Sequence, residues 1–258
     1  MTVSTILGID FGGSGIKGAP VNLRKGVLTQ ERLRIETPKP SSPSACAAVI
    51  ADIAAAFESQ VGASSAVGIT FPGVVRAGTT LTAANVDKRW IGFEADAYLE
   101  EQLKRPVTVL NDAQAAVLAE VRHGAGKGSD GMVLMLTFGT GIGSGLAYKG
   151  MALPGVELGH LRMSGVDAEK LASASVKDVE GLSWKSWAAR VNDYLDRIEN
   201  ILWPELIIVG GGVSEKGEKF IPLLKTRAPI VAATLGNGAG IVGAAIAASQ
   251  LGRKPSKA

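Results

Sequence analysis

LGIDFGGSGIKG (7–18) and LMLTFGTGIGSG (134–145) can be laid over one another without a gap. Each is an apolar run that reaches Phe-Gly, passes through small residues and a further glycine, and leaves as a second strand-like segment. We read both as strand–glycine turn–strand hairpins and the pair as a weak internal repeat. The first contains Gly13-x-Gly15-x-x-Gly18, the spacing of a dinucleotide fingerprint. That fingerprint needs a helix directly after the glycines, so that pyrophosphate sits on the helix N-terminus. Strand-like IKGAPVNL follows instead. A hairpin turn can still cradle phosphate, because glycines let backbone N–H groups approach its oxygens closely. Gly12, Gly13 and Ser14 are the candidate donors and Lys17 a candidate counter-charge; a plain tight hairpin is the alternative.

The second loop concentrates small residues around Gly141, at a cost in chain entropy that a simple turn does not require. Thr140 adds a hydroxyl and an N–H. A third glycine turn, Gly210–Gly212, closes the buried strand ELIIVGGG and precedes SEKGEKFIPLL, read as a helix. Gly211 and Gly212 offer bare backbone on which a nucleotide could lie flat; a structural β–α turn is the alternative.

Outward from these loops the chain alternates between strand and helix patterns. Residues 3–10, IKGAPVNL, KGVLTQERLRIET, AVGITF, PVTVL, MVLMLTF and LAYKG read as strands, with a tight turn at Arg24–Gly26. Residues 44–60, 93–104, AQAAVLAEVRH and 238–250 read as helices. Another spans 183–202, with Trp184, Trp187, Val191, Tyr194, Ile198 and Ile201 on one face. The tail GRKPSKA reads as frayed. The pattern predicts an α/β protein of two domains. A smaller one covers 1–110, rejoined by the terminal helix 238–250, and a larger one covers 111–237.

With 258 residues, 46% hydrophobic and 20% charged, the composition is that of an ordinary globular protein. Cys46 is the one cysteine, which excludes an internal disulfide and a cysteine-based zinc site and suits a reducing compartment. The start shows no basic segment followed by an apolar run, and no stretch approaches the roughly 20 apolar residues of a membrane span. A cytoplasmic protein without membrane or nucleic-acid partners is therefore expected. The net charge of +3 permits an anionic ligand without demanding one.

Four further positions can carry chemistry. Asp10 ends the first strand beside the first loop, where a carboxylate can hold Mg²⁺ through water; turn capping is the alternative. Asn111-Asp112 lies between PVTVL and AQAAVLAEV. There Asp112 can cap the helix, and an ionised carboxylate at that point can also accept a hydroxyl proton. Glu157 and His160, in PGVELGH, can hold two hydroxyls of a sugar, although His160 can equally be a satisfied core histidine. His123, at a helix end, reads as structural.

Taken together and in this order, IDFGGSGIKG, VLNDAQAA, TFGTGIGSG, PGVELGH and IIVGGGVS resemble the motifs of the ROK-type sugar kinases of the actin-like ATPase superfamily. The resemblance covers nearly the whole chain. It implies an actin-like ATPase (ribonuclease H-like) fold of two α/β domains flanking a cleft. Asp112 would be the catalytic base. Asn111, Glu157, His160, Asn85 and the Pro72-Gly73 turn would hold the sugar, and Gly12, Gly13, Thr140 and Gly141 would hold phosphate. Many members carry a zinc-binding cysteine cluster after the Glu-x-x-His segment. Residues 161–182 contain no cysteine, so zinc is not expected and the sugar-site residue drawn from that region stays unassigned. SWKSWAARVNDYL and ILWPELIIVGGGVS are most similar to members that make glucose 6-phosphate from inorganic polyphosphate, often from ATP too, with Mg²⁺. Mannose as acceptor and a homodimer are further implications. A strictly ATP-dependent hexokinase and a non-catalytic sugar sensor of the same family are the alternatives. The sensor is disfavoured because the first strand starts by residue 3, leaving no room for a DNA-binding helix-turn-helix. A polyphosphate chain would also need a basic track, for which Lys88, Arg89, Lys104, Arg105, Arg122 and Lys127 are candidates.

Overall fold

The first overlaid stretch forms β1 (Thr5–Phe11) and β2 (Gly15–Asn22), joined antiparallel. The computed structural model describes residues 5–251; Val3 and Ser4 of the expected first strand and the tail Gly252–Ala258 lie outside the described residues. After β2 come β3 (Val27–Leu28), β4 (Leu33–Glu36), α1 (Pro43–Ala56), α2 (Glu58–Val61) and β5 (Val67–Phe71). A small sheet of β6 (Val75–Arg76), β7 (Thr79–Thr80) and β8 (Phe93–Glu94) leads to α3 (Ala95–Leu103), β9 (Val107–Asn111) and α4 (Asp112–His123). The main sheet runs β3-β2-β1-β5-β9, with β4 beside β2; β1, β5 and β9 are mutually parallel.

The second stretch begins β10 (Met132–Phe138) and β11 (Ile142–Tyr148), followed by β12 (Met151–Leu153) and the hairpin β13 (Arg162–Met163) and β14 (Val166–Asp167). Helices α5 (Glu169–Ala172), α6 (Ala174–Val179) and α7 (Trp184–Ile201) precede β15 (Leu206–Gly210), β16 (Ile230–Ala232) and α8 (Ala239–Ala248). This sheet runs β12-β11-β10-β15-β16, again an antiparallel hairpin extended by parallel strands.

The two hairpins share their construction. β1 and β10 each have seven residues with the same pattern of burial, only the first and sixth being partly exposed. Phe11 pairs with Ile16, and Phe138 with Ile142, so the second turn is one residue shorter. The gap-free overlay therefore holds only as far as Phe-Gly; beyond it Ile16 corresponds to Ile142.

The chain divides into two compact units, one running to Ala115 and resuming at Gly240, the other Ala116–Ala239. The first boundary falls inside α4, not before it at residue 110. The reason is local: a Cβ on Gly243 of α8 would collide with the backbone of Ala115, so the first turn of α4 packs directly on α8. Likewise a Cβ on Gly8 would meet Ile241, and one on Gly68 would meet Ala244. Glycine at both sheet positions lets α8 lie flat on the β1–β5 face.

Three local readings change. KGVLTQERLRIET forms two short strands, not one. The segment after Gly210–Gly212 forms 3₁₀ turns, Gly212–Lys219 and Ile221–Leu223, with Lys216 outside helical geometry, where Gly217 and Pro222 disfavour a continuous α-helix. On α7, Trp187, Val191, Tyr194 and Ile198 are buried, but Ile201 is 67% exposed; Leu202, just past the helix end, packs against the core instead.

Candidate active site

Asp10 is held by the core. Thr70, fully buried on β5, donates its hydroxyl to Asp10 Oδ1 at 2.8 Å and accepts the N–H of Phe11 at 3.1 Å. Lys17 Nζ lies 3.7 Å from Asp10 Oδ2. A Cβ on Gly240, at the start of α8, would lie 3.3 Å from Asp10 Oδ1, so the N-terminal end of that helix faces the carboxylate. Nothing in the sequence pointed to Thr70.

The adjoining turn is braced at both ends. Gly12 N–H donates to Gly15 O, Thr37 Oγ1 donates to Gly12 O, and Arg34 Nη2 donates to Ser14 O at 3.0 Å. A Cβ on Gly13 would lie 2.9 Å from Asn85 O. Asn85 adopts a left-handed backbone, φ 58°, uncommon outside glycine and enriched at functional positions. Asn85 thus lies against the first glycine loop in the same unit. Pro72 O accepts from Ala84 N–H, which brings the Pro72-Gly73 turn to the same segment.

Asn111 and Asp112 divide their roles differently from the sequence reading. Asn111 is the helix cap: its Oδ1 accepts Gln114 N–H at 3.0 Å, while its Nδ2 donates to Gly73 O at 3.1 Å. With both amide atoms engaged, Asn111 positions the Pro72-Gly73 turn. Asp112 is the first residue of α4, and its Oδ1 accepts the neighbouring Ala113 N–H at 2.8 Å. Solvent reaches Asp112, yet the enclosing protein mass desolvates its carboxylate. Desolvation, reinforced by the charge of Asp10, raises its pKa from 3.8 to about 6. Asn111, not Asp112, therefore caps the helix, and the simple expectation of an unperturbed, fully ionised carboxylate gives way to one poised near neutrality.

In the second unit, Gly139 N–H donates to Gly141 O, and Ser175 secures the turn from outside, its N–H to Gly139 O and its hydroxyl to Thr140 O at 2.7 Å. Gly211, φ 81°, packs on the Phe138 backbone, where a Cβ would lie 2.9 Å from Phe138 N, so the third glycine turn abuts the second. Gly212 faces open space. Buried Ser144 joins β11 to PGVELGH, donating to Val156 O at 3.0 Å and accepting Leu158 N–H at 2.7 Å. A Cβ on Gly159 would collide with Ile142 O. Glu157 lies between the two contacts of this staple and His160 follows it. His160 is exposed, with Nδ1 3.4 Å from Asp167 Oδ2 and Nε2 4.0 Å from Glu157 Oε2, and is not a core histidine. Glu169 Oε2 reaches Ile142 N–H at 3.4 Å and lies against Gly141. Glu169, His160 and Asp167 bring one ligand atom each within 4.8 Å of one another. No motif marks Glu169; it stands in the cysteine-free region where the sequence left the sugar site incomplete.

The proposed donor track is largely dispersed. Arg105 is 8% exposed and faces Glu58 at 3.7 Å, Arg89 is paired through two nitrogens with Asp87, and Lys88 Nζ is bound to Ala83 O. Lys104 closes α3 in a left-handed conformation; Arg122 and Lys127 are exposed in the other unit. Cys46 is buried, and burial pushes its thiol up to about 11, away from reactivity. Among the described residues no helix is long and apolar enough to cross a membrane.

The sequence profile of the ROK family matches residues 6–176. The polyphosphate glucokinase of Mycobacterium tuberculosis (strain CDC 1551 / Oshkosh) is 49% identical over 241 residues, 93% of this chain and 89% of that protein. The crystal structure of the inorganic polyphosphate/ATP-glucomannokinase from Arthrobacter sp. strain KM superposes with a TM-score of 0.88 at 47% identity, covering 95% of this chain and 98% of that one. A ROK family glucokinase from Streptomyces griseus in complex with glucose and AMPPNP superposes with a TM-score of 0.79 at 26% identity, covering 95% and 99%. The two repeated hairpin sheets and these neighbours place the chain in the actin-like ATPase fold.

Proposed function

The chain belongs to the ROK family, and on that premise we propose that it is a hexose kinase transferring the terminal phosphoryl group of inorganic polyphosphate, and of ATP, to the 6-hydroxyl of glucose. The observation that carries the reading is Asp112, a carboxylate at the N-terminus of α4 raised to about 6, in the same unit as Asp10 and the first phosphate loop. As the 6-oxygen bonds to the terminal phosphorus, the anhydride bond to the leaving phosphate breaks and the hydroxyl proton passes to Asp112. The transition state of such transfers is loose, so positioning and charge stabilisation carry most of the acceleration. General-base help contributes about 10²–10⁴-fold.

Backbone donors of Gly13, Thr140 and Gly141 hold phosphate in this reading, with Gly12, whose N–H closes the turn on Gly15 O, shaping the first loop and Lys17 offsetting the charge; Gly211 and Gly212 take the adenosine when ATP is the donor. Glu157, His160 and Glu169 contact sugar hydroxyls, with the Pro72-Gly73 turn and Asn85, and Asn111 orients that turn. Asp10, oriented by Thr70, fits a water-mediated Mg²⁺, which when bound would neutralise phosphate charge. Zinc plays no part, which metal analysis of the purified protein checks. A cytoplasmic location, a homodimer and mannose as second acceptor belong to the same reading. The deciding experiment is a kinase assay crossing glucose and mannose with ATP and long-chain polyphosphate. Glucose 6-phosphate formed from polyphosphate supports the reading; formation from ATP alone reduces it to an ATP-dependent hexokinase, and formation from neither rejects it.

A further inference from the structure

Resting on the reading above, we propose that Arg34 selects polyphosphate over ATP, receiving phosphates beyond the third from the reacting end. Asp10, Lys17 and Arg34 are register partners across β1, β2 and β4, Asp10 opposite Lys17 and Lys17 opposite Arg34. Directly opposed residues project from the same face of a sheet. The three therefore form one row, about 10 Å long at the usual strand spacing, from the carboxylate beside the phosphate loop to the edge strand. Leu33 and Ile35 pack against the core while Arg34 and Glu36 face outward, which sets Arg34 on the solvent side.

The Arg34 side chain folds back over the loop. It donates to Ser14 O, and a Cβ on Gly15 would lie 2.8 Å from its Nε. One N–H is used and four remain. Among the described residues no acid lies within ion-pair distance of Arg34, although Glu36 shares its face. Arg89 and Arg105, by contrast, are each paired with a carboxylate. A free planar guanidinium at the edge of a phosphate loop is suited to bidentate contact with a phosphate. Beyond the third phosphate linear polyphosphate stays anionic, whereas ATP continues into an uncharged nucleoside. The row thus meets charge in one donor only.

The test is Arg34→Gln in the full chain, which keeps a donor for Ser14 O and removes the charge, beside Arg34→Lys, which keeps the charge. With long-chain polyphosphate and ATP as paired donors, Arg34→Gln is expected to lower the polyphosphate-to-ATP ratio of kcat/KM about tenfold, through KM. It should also reduce the slope of log KM for polyphosphate against log salt by about one, as for loss of one phosphate contact. The loss should shrink with tripolyphosphate, and Arg34→Lys should restore most of it. An unchanged ratio, or equal losses with both donors and with tripolyphosphate, would overturn the assignment and leave Arg34 as a brace of the loop. Absence of polyphosphate activity in the unaltered protein rejects the polyphosphate-donor reading on which it rests, a result seen before any variant is made.

Discussion

Thr70 donates to Asp10 Oδ1 at 2.8 Å while accepting the N–H of Phe11, so one buried hydroxyl fixes both the carboxylate and the backbone next to the first glycine turn. Thr70→Val keeps shape and removes the hydroxyl. We expect the Mg²⁺ concentration for half-maximal rate to rise about fivefold and stability to fall by about 1–3 kcal/mol from the orphaned Phe11 N–H. Thr70→Ser should recover the Mg²⁺ dependence. A Mg²⁺ titration that does not move in Thr70→Val would remove Asp10 from metal binding.

Asp112→Asn removes the base and keeps a side-chain acceptor for Ala113 N–H. Turnover should drop at least about a hundredfold with the fold retained. In the unaltered protein kcat/KM should fall with unit slope below about pH 6, as Asp112 takes up its proton. A folded Asn variant with near-normal turnover would exclude Asp112 as base.

The same shift bears on stability. Because the folded pKa lies above 3.8, the native state binds more protons than the unfolded chain between about pH 4 and 6. The favourable contribution is complete below that window and is lost as pH rises through it. Asp96, raised to about 6 mainly by burial, acts in the same window. Asp112→Asn should therefore raise Tm at pH 7.5, with a gain that disappears near pH 4. A gain equal at both pH values would refute the linkage.

Ser144 and Glu157 test the sugar segment. Ser144→Ala leaves Val156 O and Leu158 N–H without their shared partner, and Glu157→Gln and His160→Ala change side chains within and just after the staple. Each should raise the glucose KM severalfold and the donor KM less. A donor KM that moved alone would place PGVELGH with the donor.

Glu120 is fully buried and accepts four hydrogen bonds, from Ala125 N–H, Thr234 N–H, Thr234 Oγ1 and Leu235 N–H. Glu120→Ala orphans all four, and at about 1–3 kcal/mol for a buried unsatisfied group the loss should exceed about 2 kcal/mol. Both KM values at low temperature should stay near normal. A Tm change below about 2 °C would show that water replaces the carboxylate.

Local pattern determined the two hairpins, their glycine turns, the burial of MVLMLTF and the order of the five motifs, because turn chemistry and period-two apolar runs are written in adjacent residues. It also separated these turns from a dinucleotide fingerprint, since a strand follows Gly15. It did not determine which of two neighbours caps α4: Asn111 and Asp112 are both capping residues, and Asn111 wins because Gly73, 38 residues earlier, anchors its amide. Only the tertiary structure paired Thr70 with Asp10 across 60 residues, brought Glu169 to Ile142 across 27 and set Arg34 above Ser14 across 20. The same holds for Arg105, a surface cation by composition, which folding buries against Glu58. Such contacts depend on strand order and register, and a side chain's chemistry at a site depends on what those place beside it.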